Sequence, residues 1–223
     1  ESKRIIERNK NKDNNFYKGG KKFFNDLLTL EDLKNYPVFF DFASDLKLIN
    51  SISRYLGIFP IIGNIRIIES IENDTMISSQ LFHLDPEDYK QVKIFINLSD
   101  ITFENGPLTL LSSSETKKII KKVKNPYLRV SDDEIYKLSN KNNFFECIAP
   151  FGQAFAVDTC SCFHMGSRTR MGNRIVLVIS YLSFPGIVEP GRTSNIDFKR
   201  LGIKIKGKNS NMLLRSLRPK YLA

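Results

Sequence analysis

The chain has 223 residues, 41% hydrophobic and 26% charged, with 17 Phe and no Trp; this fits one folded domain of ordinary size and excludes a disordered chain. No apolar run approaches the roughly 18 residues that a membrane-spanning helix needs. The net charge of +10 sits at the ends: residues 1–25 hold eight Lys/Arg against three Asp/Glu and residues 192–223 nine against one, leaving 17 basic and 20 acidic residues between them. The body is therefore not a basic surface, while the tails are either solvated ends or attractors of an anionic partner such as nucleic acid, phospholipid or a phosphorylated substrate. Three cysteines, Cys147, Cys160 and Cys162, give no disulfide framework of the secreted kind and point to a reducing, cytoplasmic setting. The first residue is Glu1 rather than Met, as in a trimmed or processed piece.

From Glu1 to Lys22 the sequence is polar, carries Gly19-Gly20 and reads as a weakly ordered arm. Ser44 offers a helix N-cap, Leu46, Ile49, Ile52 and Leu56 recur at three- and four-residue steps, and Gly57 stands where a C-terminal cap belongs, which predicts an amphipathic helix. Short β-rich runs follow at 58–71, 76–85, 92–98, 152–162 and 174–184, broken by Pro, Gly, Asn and Asp. In the run 92–98, Val92, Ile94, Ile96 and Leu98 share one face and Lys93, Phe95 and Asn97 the other, so one face packs and the other looks into something polar. Asn105-Gly106-Pro107 marks a turn, and 114–140 reads as a polar, partly helical insertion.

The chain has two histidines. His83 and Asp85, two apart on a strand, point to the same side and present an imidazole and a carboxylate together. His164, at the end of another β-rich run, can add a third ligand from a second strand. Two His and one carboxylate make the facial triad of non-haem Fe(II) oxygenases, which leaves positions open for cosubstrate and oxygen. Asp85 can instead cap a turn with Pro86. Zinc is the competing metal, because Cys160, Cys162 and His164 alternate; against it, no second Cys/His pair stands at zinc spacing.

Three blocks together resemble the phytanoyl-CoA dioxygenase family of 2-oxoglutarate oxygenases. They are Gln80-Leu81-Phe82-His83-Leu84-Asp85, then Asn97 to Ile101 leading to Asn105-Gly106-Pro107-Leu108, then Asp158-Thr159 through His164 to Arg174, and the similarity spans roughly residues 36–186. The resemblance implies a mainly β (α+β) fold, a double-stranded β-helix of the jelly-roll or cupin kind with flanking helices. The chain then divides into a basic arm at 1–25, an oxygenase domain at 26–191 and a basic extension at 192–223. The resemblance also implies Fe(II) on His83, Asp85 and His164, with 2-oxoglutarate as cosubstrate and O2 and a small molecule as substrates. Its far carboxylate would be gripped by Arg174, a planar fork suited to that partner, with Arg168 and Arg170 as alternatives and Lys93 and Gln80 as lesser contacts. Related halogenases lack the triad carboxylate, so Asp85 implies hydroxylation or desaturation. The sequence departs from the family where Ser112-Ser113-Ser114-Glu115 replaces a Gly-Ser-His turn, so substrate identity does not transfer.

Two other readings stay open. One is a jelly-roll binding module that keeps a metal plate without turnover and docks by its basic tails; recognition of 2-oxoglutarate separates it from an enzyme. The other is a nucleic-acid-directed oxygenase, which strongly salt-dependent DNA or RNA binding would reveal.

Overall fold

A computed structural model describes residues 1–9, 22–123, 125–126 and 128–183. Two antiparallel sheets face each other. The larger has the strand order β1-β2-β8-β3-β6, from β1 (Phe24–Asp26), β2 (Ile61–Ser70), β3 (Gln91–Asn97), β6 (Ala154–Val157) and β8 (Arg174–Leu182). The smaller has the order β5-β4-β7, from β4 (Thr109–Leu111), β5 (Phe144–Glu146) and β7 (His164–Met165). This is the mixed, mainly β jelly-roll arrangement with flanking helices, and the sheet order explains how distant sequence blocks meet: β3 and β8 lie side by side, with Lys93 opposite Ser180 and Asn97 opposite Val176.

The alternation along β3 is resolved as the pattern predicts. Val92, Ile94 and Ile96 join Ile62, Ile65, Ile67, Ile175, Leu177, Ile179 and Tyr181 in a core beneath the helices, while Lys93, Phe95 and Asn97 point to the barrel interior. The covering helices are α1 (Ser2–Asn9), α2 (Leu30–Asn35), α3 (Val38–Ala43) and α4 (Leu46–Leu56). In α4, Ile49 and Ile52 are the buried pair, and Gly57 ends it at φ 77°, a left-handed conformation glycine adopts without strain. The N-cap is Asp45, whose carboxylate accepts from Lys47 N and Leu48 N; Ser44 instead ends α3. A second core, with Phe82, Leu111, Ile119, Ile135, Phe163 and Met165, packs the small sheet against α5 (Ser113–Ile120) and α6 (Asp132–Leu138).

Three further readings change. Residues 2–9 form a helix rather than a loose arm: Ile5 and Ile6 enter the core, Arg8 pairs with Asp32, and Asn9 Nδ2 donates to Leu27 O at 2.8 Å. Two apolar residues suffice because the polar ones are anchored to buried Asp32. The run 76–85 is not a strand. Gln80 accepts from Ile77 N and Ser78 takes φ 53°, so a tight 3-10 turn at Ser78–Gln80 replaces ladder pairing until Phe82 and His83 make isolated bridges. In 152–162 only Ala154–Val157 is strand, because Asp158 gathers the amides of Cys160 and Ser161 into a turn. Residues 10–21, with Gly19-Gly20, and the basic extension 192–223 lie outside the described residues. Among the described residues no helix is long and apolar enough to cross a membrane.

Candidate metal centre

His83 and His164 form one rung of a backbone bridge: His83 N donates to His164 O at 3.0 Å and His164 N to His83 O at 3.1 Å. Residues that exchange both bonds carry their side chains next to each other, and the two rings lie with centroids 4.2 Å apart. Asp85 N donates to Thr159 O at 2.9 Å, which keeps the next same-side residue in step. His83 Nε2 is 3.7 Å from Asp85 Oδ1 and His164 Nε2 is 3.6 Å from Asp85 Oδ2. One ligand atom from each residue lies within 4.8 Å of the others.

The donor chemistry fits a dication. His83 Nδ1 is 2.8 Å from Leu81 O and His164 Nδ1 is 3.0 Å from Cys162 O, so each Nδ1 carries the proton and donates, and each Nε2 lone pair faces the shared centre. Burial, with the neighbouring imidazole, pushes His83 well below its usual value, and burial likewise lowers His164, so both are neutral, the form that ligates. Burial opposes ionisation of Asp85, but the Lys93 ammonium beside it outweighs burial and holds the carboxyl well below the usual range. Two imidazoles and a carboxylate from one side suit Fe(II) better than zinc in a closed thiolate site. The thiols do not join the group: burial pushes Cys162 up to about 11 and Cys160 higher still, and His83, Asp85 and His164 are the metal-capable cluster among the described residues.

Arg174 opens β8 on the same interior face as Val176, and with Phe95, Asn97, Leu108, Cys147 and Phe155 it lines a small cavity. It is 5% exposed. Its Nη1 donates to Gly106 O at 2.8 Å, its buried Nε has no partner, and no described carboxylate pairs with it. Burial pushes the guanidinium down to about 10, which leaves it charged at neutral pH. A buried cation without a counter-anion is costly, and a carboxylate ligand removes that cost. Gly106 is required here: at φ 70°, a Cβ would stand 2.6 Å from Arg168 N.

The other residues read from the sequence separate. Lys93 reaches the triad itself, its Nζ 2.6 Å from Asp85 Oδ2. Gln80, expected as a cosubstrate contact, is fully occupied elsewhere: Oε1 accepts from Thr75 Oγ1 and Ile77 N, and Nε2 donates to Asn73 Oδ1 and Ser167 O, which uses every bond a primary amide can make. Arg168 is a structural clamp, bidentate on Asp132 at 2.6 and 2.7 Å and donating to Gln80 O, and Arg170 is exposed. Gln91 was missed; its Nε2 donates to Asp85 Oδ2 at 3.2 Å and Thr159 Oγ1 at 2.7 Å. Extending the β3 alternation one step back from Lys93 finds it. Arg129, whose charge acts on both histidines and which Asp85 in turn stabilises, comes from the loop before α6 and has no sequence signal.

No family model matches the chain, and no curated protein matches it by sequence. Solved structures do match by shape. AviO1 from Streptomyces viridochromogenes superposes with a TM-score of 0.51 at 16% identity, covering 85% of this chain and 84% of that one. SnoK, a non-haem α-ketoglutarate-dependent carbocyclase from nogalamycin biosynthesis, superposes with a TM-score of 0.51 at 12% identity, covering 93% and 82%. The fold is shared with both. EctD from S. alaskensis aligns at 19% identity with a TM-score of 0.49 over 72% of this chain, which spans 61% of the length of EctD.

Proposed function

We propose that the chain is a non-haem Fe(II)- and 2-oxoglutarate-dependent oxygenase, similar to the phytanoyl-CoA dioxygenase family, that oxidises a small molecule with release of succinate and CO2. The observation that carries this reading is the pairing, in one barrel, of a two-histidine, one-carboxylate cluster with a buried arginine lacking a counter-anion. SnoK, which shares the fold, is named for dependence on the same cosubstrate.

Fe(II), when bound, supplies activation of O2, with 2-oxoglutarate as the two-electron reductant. His83, Asp85 and His164 hold it, their Nε2 atoms kept available by the Nδ1 bonds to Leu81 O and Cys162 O. Arg174 binds the far carboxylate of the cosubstrate, and the two-point fork fixes its direction. Phe95, Leu108, Phe155 and Val176 form an apolar wall that excludes water around that carboxylate. Asp85 would hold the metal where related halogenases lack a carboxylate, which favours hydroxylation or desaturation.

The test is succinate formation from 2-oxoglutarate by purified protein. It should require both Fe(II) and O2 and fall below a hundredth in His83→Ala, Asp85→Ala and His164→Ala. Full turnover by any of the three variants overturns the reading.

A further inference from the structure

Lys93 has a role that the oxygenase reading alone does not assign. Its ammonium lies 2.6 Å from Asp85 Oδ2, and Gln91, two residues earlier on the same face of β3, donates to that same oxygen at 3.2 Å. Gln91 is itself fixed by its bond to Thr159 Oγ1 at 2.7 Å. Asp85 Oδ1 accepts no hydrogen bond from a described residue. Each oxygen of the carboxylate faces one histidine, Oδ2 at 3.6 Å from His164 Nε2 and Oδ1 at 3.7 Å from His83 Nε2, but only Oδ2 is also held by two donors from a rigid strand.

We infer that Lys93 is a positioning residue that divides the affinity of the centre between metal and cosubstrate: with Gln91 it occupies Asp85 Oδ2 and leaves Oδ1 free for the metal, weakening metal binding alone and strengthening 2-oxoglutarate binding to the loaded protein. The inference rests on the Fe(II)/2-oxoglutarate reading of the site. The physical ground is charge in a poorly solvated place, with the Lys93 and Asp85 side chains only 16% and 11% exposed. A fixed ammonium repels an incoming dication and shares its one anionic ligand, yet attracts the carboxylate that chelates the metal next. Glu87 and Arg129, the other charged groups whose fields reach this end, have opposite signs. The coupling is reciprocal, so 2-oxoglutarate should raise metal affinity more with Lys93 present than without it.

Calorimetry with Mn(II), followed by 2-oxoglutarate titrated into the Mn(II)-loaded protein, tests this on the wild type, Lys93→Met and Lys93→Arg. Lys93→Met should bind Mn(II) about tenfold tighter and 2-oxoglutarate about tenfold more weakly. Lys93→Arg, which keeps the charge, should stay within about threefold of wild type in both. Loss of both affinities in Lys93→Met, or no change in either, overturns the inference, since a packing role cannot move the two in opposite directions. Wild-type protein that binds Mn(II) but not 2-oxoglutarate overturns the oxygenase reading, and the inference with it.

Discussion

The two sheets of the barrel are held by different means. In the large sheet, β2 and β8 pair along most of their length, every residue of β8 is buried, and the helices α1 to α4 seal its outer face. The small sheet has strands of three, three and two residues, and it depends on the packing of Phe82, Leu111, Ile119, Ile135 and Phe163 and on the Arg168–Asp132 clamp. The histidine ligands belong to the weaker side, since His164 is in β7 and His83 is bridged to it. The cations Lys93 and Arg174 belong to the stronger. Asp85 connects the two, bonded through Gln91 and Lys93 to β3. A metal on the triad would therefore tie the short sheet to the long one, while the long sheet alone presets the charges that meet the cosubstrate.

That contrast can be broken at several points. Arg174→Ala should weaken 2-oxoglutarate binding to Mn(II)-loaded protein about a hundredfold, the scale of two charge-assisted hydrogen bonds, with Mn(II) affinity within threefold of wild type. Calorimetry checks it, and parallel losses of both ligands would show that the two ends are not separate. Ile67→Ala and Leu111→Ala should each cost about 2–5 kcal/mol in denaturant unfolding, both side chains being fully buried. Only Leu111→Ala should also loosen Mn(II), because the Leu111 side chain packs in one cluster with Phe82 and Phe163, the residues next to His83 and His164. Mn(II) at a hundred times its dissociation constant should stabilise the protein by about 2.7 kcal/mol. In hydrogen exchange, the amides of His83, Leu111 and His164 should gain more protection than those of Ile67 and Ile179. Equal gains would remove the distinction between the sheets.

The parts legible in the sequence are those where one physical requirement dominates. Alternation along Val92 to Leu98 was readable because one face meets the helical core and the other lines the interior, and Gly57 because a helix ending in the left-handed region favours glycine. His83, Asp85 and His164 were readable from two strand-end histidines and an i, i+2 carboxylate, and the structure brings all three together. Helices α2 and α3 were not, since Val38, Phe39, Phe40 and Phe42 look like a short β-run until the Thr29–Asp32 capping box and the packing of Phe39 and Phe40 are seen. Gln80, which the resemblance implies as a lesser cosubstrate contact, has its amide occupied by residues 73–77 and Ser167. Side-chain hydrogen bonding between distant segments leaves no periodic trace.

The most direct measurement is anaerobic absorption of the purified protein with Fe(II) and 2-oxoglutarate. A visible charge-transfer band should appear only when both are present, and should be lost in His164→Ala and in Arg174→Ala at low 2-oxoglutarate. Absence of the band in wild-type protein at saturating Fe(II) and 2-oxoglutarate, with no heat of 2-oxoglutarate binding, would contradict the account.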